Sequence, residues 1–391
     1  MPALGRATSS TFLRQPGDRP SDIAGRQTIG TRLDPRYNSL NAIRLLLASA
    51  VIVSHSWAVG NYPGSTPRHG GETPGGWAVF AFFVLSGYLI TGSRLNNALG
   101  TYLTRRFLRI YPGFLVCLLA TVAIFAPIGY YHQHHSLHGY LTKSTTPLDY
   151  LVSNLTLKMN VYHVAGTPSG PHAWTGSLWS LYYEFLCYVF VGLLACWAVF
   201  RRKPALAIAV FLLATVARVE HTHVASFARG EDVQQLVQLV PFFMVGSVFY
   251  LLRNRIPCNL WLAAASLAVC VVLPHLAQNR FVVLCALPMG YLLLYLGAVV
   301  PLPLGRRNDI SYGMYMYGYP VEQLLRFAHL SSHTVYIVLS VLCTVPLAAA
   351  SWFLVERPAI RWGQRQAPSA DNRAAEAGAP VAVEPLQPAR T

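Results

Sequence analysis

Apolar stretches about 20 residues long recur along this chain, and one of them, 281–304, carries no charged residue at all. A run of that length is enough for a helix to cross the hydrocarbon core of a bilayer. Inside hydrocarbon every backbone hydrogen bond must be made within the structure, which leaves only helices and closed barrels. The runs are continuous and do not alternate apolar with polar residues, so barrel strands are excluded. The pattern predicts an all-α, polytopic integral membrane protein. About ten transmembrane helices are expected, near 40–59, 77–96, 110–129, 174–200, 204–219, 233–252, 258–276, 281–304, 310–328 and 335–355. Composition agrees, with 53% hydrophobic and only 12% charged residues among 391.

The net charge of +15 does not form the continuous basic stripe of a nucleic-acid-binding protein. The cations sit instead in short clusters between the apolar runs: Arg105, Arg106 and Arg109; Arg201 to Lys203; Arg253 and Arg255; Arg306 and Arg307; then Arg357, Arg361 and Arg365. Every second connection is basic. The positive-inside rule then puts these clusters and both termini on the cytoplasmic face of the inner (plasma) membrane. Residues 1–37 and 363–391 lack apolar runs and read as disordered cytoplasmic tails around a membrane domain at 38–362.

The seven cysteines show no paired or metal-ligand spacing and read as small buried hydrophobes. His132, His134, His135, His138, His163 and His172 fall in one outer loop, but none of their spacings matches a defined site, so no metal is expected.

Charged and titratable groups inside spans are costly and mark functional candidates. Arg44 and His55 lie eleven residues apart in the first span, roughly 16 Å along one helical face. Arg44 reads as a snorkelling cation or as part of a site. His55 reads as an interfacial imidazole or as a general base, the latter favoured by the face it shares with a guanidinium. Glu184 lies about ten residues into the fourth span, one turn from Tyr188. Arg106 and Arg109 share a helical face at the membrane surface. Guanidinium forks bind phosphate oxygens, so with Arg105 they are either a topology signal touching anionic lipid or a contact for a nucleotide-bearing donor.

Six segments, in order over residues 38 to 362, resemble the acyltransferase-3 family of membrane O-acyltransferases. They are Leu40 to His55, Phe82 to Ile90, Arg105 to Pro112, Trp179 to Tyr188, Ile310 to Tyr315, and Val355 to Pro358. The resemblance implies transfer of an acyl group, typically acetyl, from acyl-CoA to a hydroxyl. The acceptor would be a carbohydrate, a lipid-linked sugar or a small-molecule metabolite. It also implies that His55 is the catalytic imidazole, Arg44 its first-span partner, Glu184 a buried supporting group, and Arg106 with Arg109 the coenzyme A contact. Two positions depart from the family pattern: Asn41 stands where many relatives have Asp, and Gly318 where many have His. The alternative from another class is a secondary transporter of a sugar or anionic substrate, which would share the buried charges but not the paired cytoplasmic arginines.

Overall fold

A computed structural model describes residues 27–33, 38–220, 230–276, 279–302, 305 and 308–365. Among the described residues, helices overlap each of the expected stretches, though fewer than ten have the length and hydropathy of a span: α1 Leu40–Val59, α2 Pro74–Leu95, α3 Leu99–His134, α4 Trp179–Leu194, α5 Ala205–Val219, α6 Glu231–Leu252, α7 Leu260–Leu276, α8 Ala286–Val299, α9 Ser311–Leu325 and α10 His333–Arg365. No strand occurs among the described residues. Six are long and apolar enough to cross a membrane: α1, α2, α3, α6, α10, and α8 extended back to Val282. Three more, α4, α5 and α7, are apolar but shorter. Most of the two expected tails, together with Arg306 and Arg307, falls outside the described residues. Within the first, Ile29–Arg32 form a short helix docked by Ile29 N–H to Ile256 O and Gly30 N–H to Arg253 O, both at 2.9 Å.

Local chemistry sets several of these boundaries. Thr73 caps α2 by accepting from Gly76 N–H, with Pro74 in the first turn where its missing N–H costs nothing. α3 starts eleven residues before the expected third span, so Arg105, Arg106 and Arg109 lie inside a helix of 36 residues. Pro112 and a π-helical turn at Thr121–Phe125 interrupt its regularity. A second π turn, Trp352–Glu356, swings Glu356 into the bundle, where it is fully buried.

The tightest seam joins α2 to α6. A Cβ on Gly87 would meet Phe243 O at 1.9 Å, and one on Gly246 would meet Val84 O at 2.0 Å. Two glycines therefore bring the backbones together without side chains between them. One turn along, Thr91 Oγ1 donates to Ser247 Oγ at 2.8 Å. Leu213, Trp261, Leu276, Leu342 and Leu354 point outward from α5, α7 and α10, as lipid-facing residues do.

Helices α1 and α9 run parallel and side by side. Their contacts keep step: Arg44 meets Asp309 at one end, Ile52 meets Gly318 midway, and His55 meets Glu322 toward the other. The Arg44 end is also where Arg94 Nε donates to Gly192 O, Ser39 N–H to Gly297 O, and the short N-terminal helix reaches Arg253. The described basic clusters thus gather at one end of the bundle.

Candidate active site

At the basic end, Asp309 is the hub. Its Oδ2 lies 2.5 Å from both Arg44 and Arg109, and its Oδ1 accepts from Ser311 Oγ at 2.5 Å. Burial pushes the Asp309 carboxyl up, but Arg44 and Arg109 outweigh it and hold the group at about 2. This pairing stabilises the fold above the ordinary carboxylate range and is lost only as pH falls through about 2, so the hub is intact at any physiological pH. Arg109 also faces Glu356 Oε2 at 3.7 Å and lies 5.5 Å over the Trp352 ring. Ser351 Oγ donates to the other Glu356 oxygen at 2.9 Å.

The three arginines expected to act together have different surroundings. Arg109 is committed to two carboxylates. Arg105 donates to Asn97 Oδ1 at 2.7 Å. Arg106 makes no ion pair among the described residues, and its Nε is buried without a partner.

Glu184 accepts from Ser86 Oγ and, at 2.6 Å, from the Tyr188 hydroxyl. It therefore fastens α4 to α2. A small cavity of about 30 Å³ opens beside it, lined by Arg44, Glu184, Ser180, Ser311, Tyr312 and Tyr315 together with Phe82 and Phe83. Arg44 and Glu184 thus share one chamber, as their positions in separate spans could not reveal.

His55 stands apart, toward the far end of α1. Its ring lies edge-on to Tyr319 with centroids 4.9 Å apart, and its Nδ1 is 3.9 Å from Glu322 Oε2. The imidazole side chain is 28% exposed while Glu322 is completely buried. The next residue, Ser56, is hydrogen-bonded to His333 Nε2 at 2.7 Å. Beyond α4, a second cavity is walled by Lys158, Tyr162, Trp179, Tyr182, Glu231 and Asp232, with Lys158 paired to Asp232 at 2.5 Å. The histidines of this region have separate partners: His132 stacks on Phe327, His134 lies edge-on to Tyr130 and near Lys143, and His163 bonds Pro168 O.

Asp309, Glu322 and Glu356 escaped the sequence reading as site residues. Glu322 carried a usable signal, a lone carboxylate in an aromatic, apolar helix, the same signal that singled out Glu184. Asp309 carried less, since it borders a basic connection.

A helical membrane bundle with a buried ionic hub, a polar chamber and a partly open imidazole has the parts of a group-transfer enzyme. The sequence profile of the acyltransferase-3 family, described as an acyltransferase domain, matches residues 37–355. The chain belongs to that family and is an O-acyltransferase, which decides for acyl transfer over transport. It is similar to an O-acetyl transferase of Shigella phage Sf6, 26% identical over 335 residues, covering 82% of this chain and 96% of the relative. It is also similar to nodulation protein 10 of Rhizobium leguminosarum bv. viciae, 25% identical over 361 residues, covering 83% and 93%. No solved structure matches.

Proposed function

We propose that the protein transfers an acetyl or other acyl group from acyl-CoA, entering at the basic end, to a hydroxyl of a carbohydrate or related acceptor approaching from the His55 end. The observation that carries this reading is the α1–α9 pair, which puts a guanidinium hub and an imidazole on one helical seam at different depths. In this reading Arg106 meets a phosphate of the donor, because its Nε has no partner and, unlike Arg105 and Arg109, it makes no side-chain hydrogen bond or ion pair among the described residues. Arg109 and Asp309 hold Arg44 at the mouth of the chamber.

The chemistry balances with the residues present. His55 takes the acceptor's hydroxyl proton as the oxygen attacks the thioester carbon, giving a tetrahedral oxyanion. The donors to that oxygen stand beside His55, about three turns along α1 from the Arg44 chamber. The carbon–sulfur bond then breaks, and the thiolate leaves as free coenzyme A, recovering the proton from His55. The second cavity offers aromatic faces beside carboxylates, a chemistry suited to sugar rings, which supports a carbohydrate acceptor. The basic end faces the cytoplasm of the inner membrane, with both terminal tails on that side of the 38–362 domain.

The test is His55→Gln, which keeps bulk and hydrogen bonding but cannot accept a proton at neutral pH. Release of free thiol from acetyl-CoA should fall roughly 10²–10⁴-fold with folded yield unchanged. Wild-type turnover in that variant would remove His55 from the chemistry.

A further inference from the structure

His55 has been treated so far as a base working alone, yet the structure puts an unexplained group beside it. Glu322 has no exposed side-chain surface, and neither of its carboxylate oxygens has a hydrogen-bond partner among the described residues. Buried carboxylates are ordinarily paired or hydrogen-bonded, because desolvating an isolated one is severely unfavourable. The side chain that answers Glu322 is His55, with Nδ1 at 3.9 Å from Oε2.

Helix geometry explains why the carboxylate comes from position 322. Gly318 abuts α1 directly: a Cβ there would meet Ile52 Cγ1 at 2.6 Å. A larger side chain at that level would have to displace Ile52. One turn further along α9 is Glu322, and three residues beyond Ile52 on the parallel α1 is His55. The small residue closes the helices together, and the next turn delivers the carboxylate to the imidazole.

We propose that Glu322 is the positioning residue for His55, its carboxylate holding Nδ1–H so that Nε2 is left as the nitrogen that accepts the substrate proton. Once the proton arrives, the same carboxylate faces the imidazolium and balances its charge. The catalytic part of this assignment rests on the acyl-transfer reading above; the pairing itself does not. The separation of 3.9 Å is an ion-pair distance, and such contacts tighten when substrate fills a site.

Other titratable or charged groups surround the pair. Tyr336 on α10 donates its hydroxyl to the Glu322 backbone carbonyl at 2.7 Å. Tyr319 lies on the same helix, and Arg326 follows its last turn. His333 reaches the neighbouring Ser56. All of these groups are present equally in every variant below.

The experiment compares wild type with Glu322→Gln and Glu322→Asp in detergent or nanodiscs. Carbethoxylation of His55 by diethyl pyrocarbonate is followed by peptide mass spectrometry against pH, which reads the neutral imidazole at that residue without needing an acceptor. The midpoint in wild type should lie at least one pH unit above that in Glu322→Gln. In parallel, thiol release from acetyl-CoA should drop at least tenfold in kcat for Glu322→Gln with KM for acetyl-CoA within twofold, and Glu322→Asp should recover part of it. Identical midpoints overturn the proposal, as does a Glu322→Gln variant whose only defect is folded yield. If the midpoints differ but His55→Gln still turns over at the wild-type rate, the pair stands and the acyl-transfer role of His55 falls.

Discussion

Arg106 and Arg109 lie one turn apart on α3, yet among the described residues one makes no ion pair and the other is held by two carboxylates. That difference predicts a split between two substitutions expected from sequence to behave alike. Arg106→Ala removes a charge-assisted phosphate contact worth about 1.5–3 kcal/mol and should weaken acetyl-CoA binding roughly tenfold or more, with thermal stability unchanged. Arg109→Ala leaves Glu356 without its cation and Asp309 with Arg44 alone, a break in a buried network costing ~3–5 kcal/mol, and should lower the unfolding midpoint first. Binding by calorimetry and unfolding by intrinsic fluorescence separate the two. Equal effects of both on binding alone would return Arg109 to the donor site. The shared face of the arginines was legible in the sequence because helical spacing is local. Their partners were not, since Asp309 and Glu356 lie 200 and 247 residues further along the chain and only tertiary packing joins them.

Among the helices, α2 and α6 depend on having no side chain where they cross. Gly246→Val would force the branched side chain against the Val84 carbonyl and should cost about 1–3 kcal/mol or more, read as lost monodisperse protein in size-exclusion chromatography. Gly100→Ala is the control: nothing lies within 4 Å of a Cβ there, and an alanine in α3 should be neutral or mildly stabilising. A well-folded Gly246→Val would mean that the seam is looser than described. The sequence located the apolar helices, because such runs permit little else in lipid, but six of them, not ten, are long and apolar enough to cross a membrane among the described residues. It placed the start of α3 too late, at 110 instead of Leu99, because a basic cluster reads as a connection when hydropathy alone is weighed. The π turn that buries Glu356 was invisible, since no residue pattern distinguishes it from α-helix. The parallel pairing of α1 with α9 was equally out of reach, as it joins the first main helix to the ninth.

Across the whole molecule, the two ends of one bundle carry different chemistry. The ionic hub and Arg106 stand at the basic end, and His55 with Glu322 stands toward the opposite one. Composition alone indicated a membrane protein, and the alternation of basic clusters indicated which end should face the cytoplasm. That the titratable groups sort by end is a property of the folded chain. The direct measurement is thiol release from acetyl-CoA by protein reconstituted in one orientation in sealed vesicles, with donor supplied on one side at a time and His55→Gln run beside wild type. Wild type should release thiol when acetyl-CoA meets the face bearing Arg106, and not from the other side, while His55→Gln should be slower by roughly 10²–10⁴-fold on the productive side. Equal release from both sides, or a His55→Gln protein as fast as wild type, would contradict the account.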